Sequence, residues 1–320
     1  MKTTVITLAD MLPLLDQIDI VAAMEHGFVQ YSNGNSVVPP VGELLFDKPK
    51  GDAHIKYGYI KQDDFYCIKI ASGFYDNAQL GINSSQGLML LFSQQTGVPV
   101  AVLLDEGFLT DIRTAAAGAL AAKYFAPNTV RAIGILGSGI QAREQLKMLK
   151  QQTPCRRVIL WSRNSDNSAK FANELADEFD VEVAASASEM AQQCNLIVCT
   201  TPAEAPLLMA SDIQPGTHIT AVGSDTEHKQ ELHADILAKA DKVIADSLPQ
   251  SQSRGEIYQA TKAGAINSAD VIELGTALQN RELQRNDDEQ ITVVDLTGVA
   301  VQDIMIATAV YQNYQQVQGK

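Results

Sequence analysis

Lys69 stands in the middle of an apolar run, FYCIKIA, where a lysine either turns outward or faces an anion, because a buried ammonium needs a partner. Strand alternation puts it on one face with Cys67 and Ala71, opposite Ile68 and Ile70. Arg113 opens the alanine-rich segment DIRTAAAGALAAKYF, whose composition predicts a helix over 111–125, closed by Pro127. A cation at a helix N-terminus opposes the helix dipole unless it shares an anion with the first-turn N–H groups. The competing reading is a salt bridge to Asp105 or Asp111. Thr114, next in the chain, adds a hydroxyl. Asp225 follows the apolar run THITAVGS and so belongs at the carboxyl end of a strand, where ligands of open α/β sheets bind. The competing reading is a capping residue in SDTE, and the neighbouring His228 reads as a solvated surface group. Two cations and a carboxylate suit chemistry in which an anionic group is gripped while a proton moves at a nearby atom.

A second constellation is RAIGILGSGIQA, from Arg131 to Ala142. It reads as a buried strand, a tight turn and a helix, with Gly137, Gly139 and Ala142 in the spacing G-x-G-x-x-A. Gly137 permits the turn, Gly139 leaves room for backbone approach to an anion, and Ala142 lets the helix pack close to its strand. The helix N-terminus offers free N–H groups to a pyrophosphate. The amphipathic QAREQLKMLK and a second strand at 157–161 complete the βαβ context of a dinucleotide site. That second strand ends at Ser162, Arg163 and Asn164, about 20–25 residues beyond the turn, where an acid would hold a ribose 2′-hydroxyl or an arginine a 2′-phosphate. Arg163 favours NADPH, with NADH as the alternative. Asp166 is the acidic competitor, read instead as part of a helix starting near Asn167.

The elements that must hold these residues follow from pattern. Residues 3–31 read as strand then helix, with Thr7 and Asp10 in a capping arrangement. HIKYGYI, FYCIKIA, QGLMLLFS and VPVAVLLD, separated by Gly- and Asn-rich turns, predict a mostly antiparallel sheet. Beyond Pro127, strands alternate with helices through AIGILG, RVILWS, VEVAA, NLIVCTT, THITAVG, KVIADS and ITVVDLTG, predicting about six βα units in a doubly wound parallel sheet. The 250s and 280s read as the most loop-like regions. A last helix over 303–315 reads as simple packing.

At 320 residues the chain has room for two cores, and 46% hydrophobic with 19% charged residues is ordinary globular composition. A formal charge of −14 argues against nucleic acid or anionic membrane as a partner. The four cysteines, 67, 155, 194 and 199, form no CxxC pair and no metal spacing, which fits buried thiols in a reducing cytoplasm, with no metal expected. No apolar run approaches the ~20 residues of a membrane span.

Several segments together resemble the ornithine cyclodeaminase/μ-crystallin family. They are Ile68-Lys69-Ile70, GLMLLFSQQTGVPVAVLLDEGFLTDIRTAAAGALAAKYFAP, GILGSGIQA, PGTHITAVGSDTEHKQEL, GEIYQA, ELG and TGVAVQDIMIATAVY, which span nearly the whole chain. The resemblance implies an α/β protein in which residues 1–112 with 300–320 form a smaller α+β domain for substrate binding and homodimerisation. Residues 113–299 would form the Rossmann domain, with the active site between the two. It implies chemistry at an imine beside a carboxylate. Lys69 and Arg113 would hold the carboxylate, and Asp225 would polarise the iminium and supply a proton. The implied cofactor contacts are Ser85, Arg113, Thr114, Gly137, Ser138, Gly139, Ile140, Gln141, Ser162, Arg163, Asn164, Thr200, Thr201, Pro202, Val222, Gly223 and Gly298.

Two departures from the family pattern narrow the activity. Val38-Pro39-Pro40-Val41-Gly42 lacks the usual carboxylate-binding arginine, and His54-Ile55-Lys56-Tyr57-Gly58 stands where a Met-Pro or glutamate-bearing segment is usual. Lys56 could replace the missing positive charge. Without an acidic group for a distal ammonium, and with Arg163 on the ribose side, the expectation is NADPH-dependent reduction of a cyclic ketimine. Δ1-Pyrroline-2-carboxylate to L-proline and Δ1-piperideine-2-carboxylate to L-pipecolate are the expected reactions. The alternatives are an ornithine or lysine cyclodeaminase, an alanine or N-methyl-amino-acid dehydrogenase, and a non-catalytic crystallin-like binding protein.

Overall fold

The computed structural model describes residues 3–319, which divide into two compact units: 1–113 with 299–320, and 114–298. The first is a seven-stranded sheet in the order Thr4–Thr7, Pro99–Leu104, Ser85–Ser93, Phe65–Phe74, Gly51–Ile60, Ser36–Val37, with Gly42–Phe46 also paired to Gly51–Ile60. Thr4–Thr7 joins parallel and the remaining pairs are antiparallel. One face, carrying Ile6, Leu103, Met89, Leu91 and Cys67, is buried under the helices Ile20–Ser32 and Ala300–Gln318. These two helices approach so closely that a Cβ on Gly27 would lie 2.9 Å from Met305 Cγ.

Three elements differ from the sequence reading. The first helix is two, Leu8–Leu15 and Ile20–Ser32, because Asp19 caps a fresh start by accepting the Ala22 N–H at 2.9 Å. The Thr7–Asp10 arrangement is present, with Asp10 accepting the Thr7 N–H at 2.9 Å. The alanine-rich helix begins at Phe108, so Arg113 lies in its second turn and the helix-dipole argument for it fails. The C-terminal helix begins at Ala300, which puts Asp303 inside it.

The second unit is a doubly wound sheet of eight parallel strands. Their order is Asp180–Val183, Arg157–Trp161, Ile133–Leu136, Leu196–Cys199, His218–Ala221, Thr292–Asp295, Lys242–Ala245, Ile272–Glu273. The connection direction reverses between Ile133–Leu136 and Leu196–Cys199, the switch point at which such sheets open a ligand crevice. Its central strands are wholly buried, as strands covered by helices on both faces must be. A small parallel pair, Glu204–Leu208 with Gln230–Leu232, and the helix Gly255–Lys262 fill stretches that the sequence reading left without structure. Among the described residues no helix is long and apolar enough to cross a membrane.

Candidate active site

In the first unit Lys69 takes the inward face of its strand and is 2% exposed. Its anion is Asp303 of the C-terminal helix, with Nζ to Oδ1 at 3.1 Å. Arg113 reaches the same oxygen, Nε to Oδ1 at 3.0 Å, and donates from Nη1 to Gln302 Oε1 at 3.0 Å. The competing reading of Arg113 is an ion pair with Asp105 or Asp111; the ion pair it makes with Asp303 was not foreseen. Asp105 instead accepts the Leu109 N–H at 2.9 Å at the start of the helix. Lys56 is directly opposite Lys69 in the antiparallel register and is buried too. Burial lowers the Lys69 pKa while Asp303 opposes the change. Burial raises the Asp303 carboxyl, but Lys69, Arg113 and Lys56 outweigh it and hold it below the usual range. Three buried cations therefore share one principal carboxylate, an arrangement that suits a further anion. Ser85 lies half-buried on the same sheet face, opposite Gly73.

In the second unit the glycine turn follows Ile133–Leu136 at the switch point. Gly137 has φ +111, and a Cβ there would sit 2.7 Å from Thr200 Oγ1, so both backbone and space require glycine. Gly139 caps the helix Ile140–Leu149, and a Cβ on it would meet nothing within 4 Å. The approach to the helix N-terminus is thus open, with Ile140 and Gln141 in its first turn. A cavity of about 330 Å³ is lined by Gly137, Ser138, Gly139, Trp161, Ser162 and Arg163, and extends to Asn164, Thr200, Thr201 and Pro202. Ser138 Oγ donates to Ser162 Oγ at 3.1 Å, tying the turn to the end of the second strand. Asn164 caps the helix Ser165–Leu175, which begins before Asn167, and Asp166 lies in its first turn. Arg163 is exposed.

The remaining residues fall nearby or apart. Val222 and Gly223 follow His218–Ala221, and Val222 N–H donates to Cys199 O at 2.9 Å. Gly298, φ +84, donates its N–H to Asp246 Oδ2 at 2.6 Å. Thr114 O accepts from Gln145 Nε2 at 3.1 Å. Asp225 lies past the end of His218–Ala221, half-exposed, with its Oδ1 2.6 Å from Lys229 Nζ; the SDTE segment starts no helix, so a capping role fails. His228 is exposed.

Sequence reasoning missed two residues here. Asp303 was absorbed into a packing helix, although an aspartate one turn inside an otherwise apolar stretch was a signal. Arg143 read as one charge of an amphipathic helix. It in fact donates to Ser138 O and Gly139 O, the latter at 3.0 Å, and pairs with Glu174 through Nε at 2.7 Å, which fastens the glycine turn.

The profile of the ornithine cyclodeaminase/mu-crystallin family matches residues 1–318. The chain belongs to that family. An uncharacterized cyclodeaminase of Sinorhizobium fredii is 39% identical over 303 residues, covering 93% of this chain and 92% of that protein. Among solved structures, an archaeal alanine dehydrogenase dimer with bound NAD superposes with a TM-score of 0.90 at 33% identity, over 99% of this chain and 98% of that one. The Δ1-pyrroline-2-carboxylate reductase of Thermococcus litoralis, in complex with NADH and L-proline, gives 0.91 at 25% identity, over 99% and 98%. A nicotinamide dinucleotide fits the residues of this member of the family: an open helix N-terminus, a turn that only glycine permits at Gly137, and a polar strand end at Ser162–Asn164.

Proposed function

We propose that this protein is an NADPH-dependent reductase of cyclic ketimine carboxylates, with Δ1-pyrroline-2-carboxylate or Δ1-piperideine-2-carboxylate as substrate and L-proline or L-pipecolate as product. The observation that carries the reading is the buried Lys69–Asp303–Arg113 cluster with Lys56 beside it. It gathers the cationic heads of Lys69 and Arg113 in a dry setting where a substrate carboxylate would be held strongly. The Thermococcus reductase was solved with its imino-acid product, which supports the same substrate class here.

The nicotinamide, when bound, supplies hydride to the imine carbon. The chain's own residues do the rest. Lys69 and Arg113 orient the carboxylate, and Asp303 keeps Lys69 charged and fixes both heads in place. Asp225, half-exposed and adjustable through Lys229, is the group proposed to stabilise positive charge at the imine nitrogen and pass it a proton, directly or through water. A protonated iminium accepts hydride far more readily than a neutral imine. Ser162, Arg163 and Asn164 would surround the adenosine ribose, with Arg163 gripping the 2′-phosphate of NADPH. The NAD bound in the archaeal relative supports NADH as the competing cofactor.

The division of labour proposed for the chain gives residues 1–112 with 300–320 substrate binding and dimerisation, and residues 113–299 the dinucleotide. The helix-free face of the first sheet favours a homodimer. It presents Val5, Leu104, Ile70 and Tyr57, each more than a third exposed, with half-buried Val102, Leu90 and Ile68 between them. A contiguous apolar sheet face of this kind marks an interface, and a dimer is known for the archaeal alanine dehydrogenase.

The test is consumption of NADPH by the purified protein with enzymatically generated Δ1-pyrroline-2-carboxylate, beside pyruvate with methylamine and beside L-ornithine. Rapid oxidation with the cyclic imine alone supports the reading. Activity only with pyruvate and amine would make it an open-chain dehydrogenase, and ammonia release from ornithine without net oxidation a cyclodeaminase.

A further inference from the structure

Among the described residues five carboxyl groups are buried in the second unit without a part in the proposed chemistry: Asp212, Glu231, Asp246, Glu256 and Asp295. Three form a series in which each accepts backbone N–H groups from the next element. Asp295, ending Thr292–Asp295, accepts the Ile257 N–H at 2.9 Å in the first turn of Gly255–Lys262. Glu256 of that turn accepts the Glu231 N–H at 2.7 Å and the Leu232 N–H at 3.2 Å. Glu231 then divides its two oxygens between two loops: Oε1 accepts the Thr201 N–H at 2.6 Å and Oε2 the Gly223 N–H at 3.0 Å. The loops are in close contact there, since a Cβ on Gly223 would lie 2.2 Å from Thr201 O.

Placing a carboxylate wholly inside a protein is costly, and glutamine has the same shape. Glutamine has one acceptor oxygen, however, and its NH2 would point at one of the two N–H donors. With an NH2 turned toward it, the Gly223 N–H would keep only its longer bond to Cys199 O at 3.2 Å, and the tie between the two loops would be lost. Strand order says what those loops border. A ligand laid across the carboxyl ends of the sheet meets Ser162–Asn164 first, the glycine turn next, then Thr200–Pro202 and last Val222–Gly223.

We propose that Glu231 is a positioning residue for the nicotinamide half of the cofactor, setting the separation of the Thr201 and Gly223 loops by holding one N–H of each. The inference rests on the reading of this groove as a dinucleotide site. Burial and the neighbouring Glu256 push the Glu231 carboxyl up to about 8, and burial pushes Glu256 up to about 7, while the N–H groups of Thr201 and Gly223 pull Glu231 the other way.

Trp161 is the single tryptophan and lines the groove, so its fluorescence reports binding without turnover. Dissociation constants of NADPH, NADH and adenosine 2′,5′-bisphosphate are measured for the full-length wild type, Glu231→Gln and Glu231→Asp. In Glu231→Gln the dinucleotide constant rises up to about tenfold, the scale of one lost hydrogen bond, while the adenosine fragment, which would bind at the Ser162–Asn164 end of the groove, changes less than about twofold. Glu231→Asp keeps two acceptor oxygens and falls between the two, and it carries the test if the glutamine variant does not fold. Unchanged dinucleotide affinity in a folded variant, or equal losses for fragment and dinucleotide, overturns the proposal. A wild type that binds neither NADPH nor NADH overturns instead the functional reading beneath it.

Discussion

Replacing Asp303 by asparagine removes one charge and almost no volume, and leaves Lys69 and Arg113 facing each other in a buried site. At 3.1 Å and 3.0 Å each attraction is worth about 5 kcal/mol before desolvation, taking an effective dielectric constant of roughly 20. The net loss is smaller, because truncating one partner of a buried ion pair costs about 3–5 kcal/mol. Lys69 has an escape: burial already lowers its pKa, and without Asp303 it sheds its proton more easily. A lysine whose folded pKa lies below its unfolded value binds more protons when unfolded, so stability rises with pH across that interval. The Asp303→Asn variant is therefore destabilised by about 3–5 kcal/mol at neutral pH and recovers part of this by pH 9. Urea denaturation at the two pH values measures it, and kcat/KM for the imine falls about a hundredfold through misplaced cations. A denaturation midpoint within about 0.5 kcal/mol of wild type at both pH values, with normal kinetics, would refute the claim that one carboxylate organises this cluster.

Lys69→Met should abolish most turnover; because the lysine is buried and paired, it should also cost a few kcal/mol of stability, and full activity would remove Lys69 from carboxylate binding. Arg163→Ala, at an exposed position, should raise the NADPH dissociation constant roughly ten- to a hundredfold and leave NADH unchanged, as Trp161 fluorescence would report. An unaltered preference between the two cofactors would count against the 2′-phosphate assignment. Glu231 and Glu256, pushed up to about 8 and about 7, bind protons in the folded state that the unfolded chain releases above its ordinary carboxyl range. Their contribution to stability therefore falls as pH rises from about 5 to 8, and Glu256→Gln should flatten that slope in chemical denaturation. Ile70→Lys on the apolar sheet face should break the proposed dimer, with wild type dimeric and the variant monomeric by light scattering; a monomeric wild type, or a variant that stays dimeric, would count against this face as the interface.

Much of this architecture was readable from periodicity and punctuation. The glycine turn, its strand and the second strand are local, and each is dictated by a short run of residues, so RAIGILGSGIQA and RRVILWS announced themselves. Lys69 was legible as an anomaly, a cation in an apolar strand, yet its partner was not, because Asp303 lies far along the chain and long-range pairing leaves no local pattern. For Arg113 the helix-dipole reasoning does not apply. The helix starts at Phe108, where Asp105 accepts the Leu109 N–H, and one turn of difference moves a side chain away from the helix dipole. Glu256 was hidden in a stretch that read as loop, because Gly255 at φ +91 and Arg254 before it carry no capping side chain; the cap comes from Asp295, far along in sequence.

The most direct test of the central claim uses NADPH carrying deuterium at both C4 positions of the dihydronicotinamide with Δ1-pyrroline-2-carboxylate, followed by mass spectrometry of the product. The account predicts L-proline with a single deuterium on the carbon that bears the carboxylate, and loss of that product in Lys69→Met. Absence of labelled product from folded, NADPH-binding protein would contradict it.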